Sequence, residues 1–299
     1  MIGEDYIIDR LRLKNSANRW KFFAILLLLG SIFLFFSQKF HKNNIEQIGG
    51  DYIASISVTG ILMQNQEVLE SLNEIAKKDS IKAVVVNINS PGGTAVGGES
   101  LYRSFKEISK KKPIVSSIGE LGTSAAYMAA LGTDKIFAYE SSLTGSIGVM
   151  LQNVEISDLA KKYGVNLEMF KSSPLKGIPN PFEKLDNTQK EYVQDLINDS
   201  HQFFMQKVKE ARNFSNDELK AIGDGKVFIG IKAYKLRLID QLGDKEDAIR
   251  WLKENNKQIK DLKVNHVDLI KPTSKLQKII DYSHNALLLL THVFSKAIT

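Results

Sequence analysis

Ser124 lies in Gly122-Thr123-Ser124-Ala125-Ala126-Tyr127, among small residues and just ahead of an apolar helical run. A hydroxyl in that setting is a candidate nucleophile, and it needs a base to take its proton. Histidine is the usual base, but none of the five histidines falls between His41 and His201. Lysine can serve instead where burial disfavours its ammonium form, by as much as ~3–5 pKa units in extreme cases. Ser–Lys pairs follow the same logic as the Ser-His-Asp triad. Two lysines fit on local sequence. Lys176, flanked by Leu175, Ile178 and Phe182, lies in residues 172–181, which hold three of the six prolines. Lys171 is its competitor, at the end of an expected strand. Residue chemistry alone leaves the choice between them open.

Acyl transfer to a serine also requires N–H groups aimed at the developing oxyanion, for a gain of ~3–4 kcal/mol. Asn89-Ser90-Pro91-Gly92-Gly93 follows a buried-looking run, Lys82 to Ile88. Glycine allows close backbone approach, so Gly92 and Gly93 are candidate donors. Simpler readings exist: a plain turn for the glycines, and a helix N-cap for Ser124. Ser146, in Thr144-Gly145-Ser146-Ile147-Gly148, reads locally as a competing nucleophile.

The elements that would position these groups alternate. Tyr52 to Met63 reads as a strand and turn, Gln66 to Lys78 as a helix, and Lys82 to Ile88 as a buried strand. Asn89 to Gly93 reads as a sharp turn, Glu99 to Lys110 as a helix, and Pro113 to Ile118 as a strand. Strand and helix in alternation predict an α/β fold with crossover connections. Downstream, helices are expected at Ser157 to Tyr163, Thr188 to Asn213 and Lys245 to Lys253, and strands at Asn166 to Phe170 and Val264 to Leu269. Tyr192, Leu196, Phe203, Phe204 and Val208 are the expected core contacts of the long helix, and Ser215 with Glu218 forms a capping box.

With 299 residues, 43% hydrophobic and 25% charged, the chain has ordinary globular composition. Its net charge of +6 is mild and its lysines are scattered, so no nucleic-acid partner is expected. The absence of cysteine excludes disulfides, thiolate metal sites and a cysteine nucleophile. Neither a metal nor a cofactor is expected. Phe22 to Phe36 carries no charge and, with its flanks, approaches the ~20 residues of a spanning helix. Arg10, Arg12, Lys14, Arg19 and Lys21 precede it, which predicts a cytoplasmic N-terminus. The expected organisation is a cytoplasmic segment over 1–21, a transmembrane anchor over 22–38, a linker over 39–50, a catalytic domain over 51–270 and an amphipathic tail over 271–299. The domain would then lie outside the cytoplasm, held to the inner or plasma membrane by a single pass.

From about Tyr52 to Gly243 the chain resembles the signal peptide peptidase A family of serine proteases. The resemblance rests on Asn89-Ser90-Pro91-Gly92-Gly93, Gly122-Thr123-Ser124-Ala125-Ala126-Tyr127 and Leu143-Thr144-Gly145-Ser146-Ile147-Gly148-Val149. Lys176 ahead of Pro181-Phe182, and Gly225-Lys226-Val227-Phe228 through Leu238-Ile239-Asp240, complete it. It implies a ClpP/crotonase-like layered α/β core, Ser124 as nucleophile and Lys176, rather than Lys171, as general base. It further implies Ser146 as the group orienting the lysine, Gly92 or Gly93 at the oxyanion, and a homo-oligomeric ring whose serine and lysine meet across a protomer boundary. Implied substrates are signal peptide remnants and other membrane-associated or unfolded peptides. Two positions depart from the family pattern: its Gly-Gly after the nucleophile is Ala125-Ala126, which would alter substrate approach, and its late Gly-Leu-Val-Asp is Arg237-Leu238-Ile239-Asp240. A crotonase-type acyl-CoA enzyme shares the fold and the oxyanion glycines, and an inactive membrane scaffold is the non-enzymatic alternative.

Overall fold

The structure, a computed structural model, describes residues 50–270. The anchor expected over 22–38 and the tail expected over 271–299 lie outside the described residues, among which no helix is long and apolar enough to cross a membrane. In chain order the strands are β1 (Tyr52–Leu62), β2 (Ile81–Gly93), β3 (Ile114–Thr123), β4 (Lys135–Ala138), β5 (Leu143–Gly145), β6 (Val227–Ile229), β7 (Gln241–Leu242) and β8 (Lys263–His266). The helices are α1 (Gln66–Lys77), α2 (Ala95–Ser109), α3 (Ala125–Ala130), α4 (Ser157–Lys162), α5 (Asn187–Arg212), α6 (Asn216–Ile222), α7 (Gly230–Lys235) and α8 (Lys245–Asn255). The expected α/β fold is present.

The sheet runs in the order β6-β5-β3-β2-β1-β8, with β4 pairing β3 and β7. All pairs are parallel except β5 with β6. Parallel strands need both faces covered, and the central apolar runs meet that need by alternation. Ile53, Ala83, Val85, Val115 and Phe137 form one buried cluster with Ala248, Ile249 and Leu252 of α8. Residues of opposite parity, among them Ala54, Ile56, Val84, Val86 and Ile88, are buried on the other face, where α3 packs on β2 and α2 packs on α3. Helix starts follow their caps: Asn65, Thr94, Asp186, Ser215 and Asp244 each accept a backbone N–H of the following helix.

Strand β3 forks. Val115 to Ile118 pair with β4, and Leu121 to Thr123 pair with β5. At the fork the buried Ser142 hydroxyl donates to the carbonyl of Gly119, lies 3.1 Å from that of Ile118, and accepts the N–H of Tyr139 at 2.9 Å. Beyond the fork the buried helix α3 is anchored by Tyr127, whose hydroxyl donates to the Leu238 carbonyl at 2.8 Å. Burial pushes the Tyr127 phenol up, nearby Asp240 adds to this, and Arg212 opposes it. Asp240 in turn accepts the Ile136 N–H at 2.8 Å and pairs with Arg212 at 2.9 Å.

Several sequence expectations are corrected. Residues 89–93 do not leave the sheet as a turn; β2 runs through them, with its register shifting between Ile88 and Ser90. Residues 166–170 form no strand, and Phe170 is 96% exposed, because no strand among the described residues pairs with this stretch. On α5, Phe204 and Val208 are buried as expected, whereas Tyr192 and Leu196 stand about half exposed. Arg237, where the family pattern has glycine, holds φ at 58° and sits over the Phe214 ring at 5.1 Å.

Tyr127→Phe removes the only polar group that α3 sends to Leu238 and leaves a buried carbonyl unpaired. The expected loss is about 1–3 kcal/mol of unfolding free energy in urea titration, with far-UV circular dichroism unchanged.

Candidate active site

Ser124 is the residue where β3 ends and α3 begins. Its backbone has φ 54° and ψ −123°, a conformation that costs a non-glycine residue ~1–3 kcal/mol. Two hydrogen bonds hold it there: its N–H donates to Gly145 at 2.8 Å, and its carbonyl accepts from Met128 at 3.0 Å. Its side chain makes no capping bond to α3 and is partly exposed, so the N-cap reading of this serine is not realised.

Ser146 is brought beside it by register. Thr123 pairs with Gly145, the last residues of strands ~4.8 Å apart, and Ser124 and Ser146 are the residues that immediately follow them. Ser146 also has positive φ, 51°, and its N–H donates to the Lys226 carbonyl at 2.8 Å. The Gly225 N–H donates to Ile147 at 3.1 Å, so residues 225 and 226, which lead into β6, fix the Ser146 turn. Only four non-glycine residues among those described have positive φ: Ser124, Ser146, Asn213 and Arg237. Asn213 and Arg237 are accounted for as the C-cap of α5 and the tight turn after α7. The two serines remain, side by side.

The third wall is the end of β2. Gly92 has φ 103°, and a Cβ there would lie 2.8 Å from the Thr123 carbonyl oxygen and 2.9 Å from Cβ of Ser124. Its N–H donates to Ser90 Oγ at 3.1 Å, and that hydroxyl donates to Gly60 at 2.6 Å. Gly93 faces β1 instead, where a Cβ would come 2.0 Å from the Leu62 carbonyl oxygen. Gly92 is therefore glycine because of the serine turn, and Gly93 because of strand packing.

Sequence reasoning passed over the side chains that lock these loops. Thr123 Oγ1 donates to Pro91 at 3.0 Å, Thr144 Oγ1 donates to Gly122 at 2.8 Å, and Asn89 Oδ1 accepts the Leu121 N–H at 3.1 Å. Part of their signal was available: Thr123 and Thr144 each stand next to a glycine, whereas Asn89 does not. Ala125 and Ala126 are both helical, so no left-handed backbone is required of them, and the expected effect of these alanines on substrate approach has no backbone basis here.

The two lysines part company. Lys171 is largely buried and its ammonium is held by Glu183, whose carboxyl is drawn below the usual range, first by that bond and then by Asn180. An ammonium committed to an ion pair is not a free base. Lys176 is exposed, and within the described chain its Nζ makes no hydrogen bond or ion pair. The fold thus brings Ser124, Ser146 and Gly92 together, and among the described residues no hydrogen bond or ion pair joins the exposed Lys176 to them.

Residues 106–260 match the family model described as peptidase family S49. A putative protease of Methanocaldococcus jannaschii is 33% identical over 247 residues, 78% of this chain and 79% of its own length. The chain belongs to peptidase family S49. A putative protease of Synechocystis is 36% identical over 201 residues, covering 67% of this chain and 72% of the relative. A putative signal peptide peptidase of Enterococcus faecium is 31% identical over 194 residues, 64% and 56% of the two chains. Among solved structures, a ClpP1 mutant from Listeria monocytogenes covers 65% of this chain and 94% of its own at TM-score 0.43 and 15% identity, a likeness too slight to bear on the site. Family membership makes the chain a peptidase and leaves the assignment of its groups to chemistry.

Gly92→Ala puts a methyl group against the Ser124 turn at a backbone angle alanine resists. Peptide cleavage should fall by about 10²-fold in kcat/KM, the scale of a reacting group displaced by ~1 Å, with the chain still folded by circular dichroism.

Proposed function

We propose that the chain is a serine endopeptidase working through a Ser–Lys dyad. The observation that carries this reading is the strained turn at Ser124, set beside Ser146 and against Gly92. Ser124 attacks the peptide carbonyl. Lys176 takes the hydroxyl proton and returns it to the leaving amine. Ser146 hydrogen-bonds the lysine and aims it. Gly92 and Gly93 line the oxyanion, which requires the Gly92 N–H to leave Ser90 as substrate binds.

Lys176 reaches this site from a neighbouring protomer. Two features support that. Lys176 is exposed and unpaired within the described chain. The segment that carries it displays Met150 at 86%, Tyr163 at 75% and Phe170 at 96% exposure, large apolar side chains that a partner surface would cover. A homo-oligomeric ring would bury it and lower the dielectric around the lysine. The apolar stretch 22–38 anchors each protomer in the cell membrane with the N-terminus cytoplasmic and the peptidase domain outside. The substrates are signal peptide remnants and other membrane-associated or unfolded peptides, bound extended.

Purified full-length chain should cleave an unstructured peptide, and Ser124→Ala and Lys176→Ala should each lose at least ~10³-fold. Mixing the two inactive variants under conditions that exchange protomers should restore activity, because some boundaries then join an intact serine to an intact lysine. If the single variants remain active, the dyad is misassigned. If they are inactive but never complement, the dyad does not cross a protomer boundary.

A further inference from the structure

Parallel topology sends every strand start and every crossover-helix end to the same edge of a sheet. On the β2, β3 and β8 side of this sheet that edge collects lysines. Lys77 and Lys78 end α1, Lys110 and Lys111 follow α2, Lys112 precedes β3, and Lys82 lies at the start of β2. Lys253 lies near the end of α8, Lys257 and Lys260 follow it, and Lys263 starts β8. Between residues 50 and 270 basic and acidic side chains balance, and acidic groups stand at this edge too, Asp51 beside Lys82 and Glu107 beside Lys110, but the lysines outnumber them here.

This edge contains a cleft of about 630 Å³ lined by Lys82, Lys111, Lys112, Lys257 and Gln258, with Asp79 the one carboxylate among its lining residues. Lys112 is its floor, donating to the carbonyls of Ile75 at 2.9 Å and Lys78 at 2.8 Å. Burial lowers the Lys112 pKa; Asp79 opposes this, and the Lys82 and Lys111 charges add to it, so the ammonium groups feel one another. Lys82 shares Asp51 at 3.5 Å, and among the described residues Lys111 and Lys257 have no ion-pair partner. Crowded cations around an open polar cleft suit phosphate-bearing anions.

We infer that this edge is a docking face for the anionic headgroups of a lipid bilayer. The choice of a bilayer over another polyanion rests on the anchor reading above. The chain enters the domain at this edge, at Asp51 and Tyr52, about a dozen residues after the apolar stretch 22–38, a reach of at most ~45 Å. Ser124 lies at the opposite end of β3, ten residues or ~30 Å away. Docking would hold the catalytic edge off the bilayer at a set height and select extended substrate segments long enough to rise to it.

The chain has no cysteine, so one introduced thiol carries a fluorophore uniquely. Gln258→Cys marks the cleft and Ile61→Cys the far edge. Full-length chain is placed in nanodiscs of phosphatidylcholine, with or without phosphatidylglycerol, containing a headgroup-labelled acceptor. Energy transfer from the Gln258 probe should rise with phosphatidylglycerol and collapse in about 0.5 M salt, where charges are screened within ~4 Å; the Ile61 probe should not respond. Each lysine near such a surface contributes roughly fivefold, so Lys82→Gln, Lys111→Gln and Lys257→Gln together should weaken docking about 100-fold. The corresponding Lys→Arg triple should retain it, and Lys112 is kept because it holds α1. Equal transfer in both lipids, or an Ile61 response, overturns the inference. So does a short DNA duplex that competes as well as the lipid. A chain absent from neutral discs overturns the anchor reading alone. Lysine-dependent co-sedimentation of the full chain with phosphatidylglycerol vesicles would then support the docking face, and its absence would overturn it.

Discussion

The site depends on one backbone contact. Gly92, at the end of β2, lies so close to the Ser124 turn that no side chain fits between them. That contact is supported by three short side-chain ties between strand ends: Thr123 to Pro91, Thr144 to Gly122, Ser90 to Gly60. Each tie joins neighbouring strands at the same edge. With them in place, Ser124 is kept at a dihedral it would not choose, and its hydroxyl is freed from the capping role its sequence position suggests. Strain at the serine is thus supported by polar groups one strand away on either side.

The same edge is incomplete in a single chain. The fork in β3 replaces β4 by β5, setting Ser146 against Ser124, but nothing within the described chain buries Lys176. The segment from Met150 to Phe182 has few hydrogen bonds to the sheet and many apolar side chains in solvent. A segment of that composition is stable against another surface, not against water. The protease reading and the assembly reading therefore stand on one physical point: the base and the apolar surface that would activate it belong to the same loop region.

Charge is distributed by the same topology that builds the site. Catalytic turns need the carboxyl ends of parallel strands, where loops are free to vary. The amino ends receive whatever the crossover helices carry in their last turn. Helix C-termini favour lysine because it complements the dipole, so lysines unremarkable along the chain converge at one pole.

Much was legible in the sequence because it is local. Alternating apolar runs of strand and helix length dictated the α/β class, and the capping box of Ser215 with Glu218 followed from side chains three residues apart. The absence of histidine between His41 and His201 left lysine as the candidate base. What the sequence could not decide was non-local. The continuation of β2 through Pro91-Gly92-Gly93 comes from pairing with β1 and β3. The absence of a strand at 166–170 comes from the lack of a neighbour to pair with. Lys171 is removed as a free base by Glu183, twelve residues on. The pairing of Ser124 with Ser146, and of Lys82 with Lys112 around one cleft, arises from register and crossover, which no single stretch of chain contains. Residue types and local order were therefore determined by the sequence itself, whereas which groups face one another was decided by strand order, because in a parallel sheet neighbours in space are separated by whole helices in the chain.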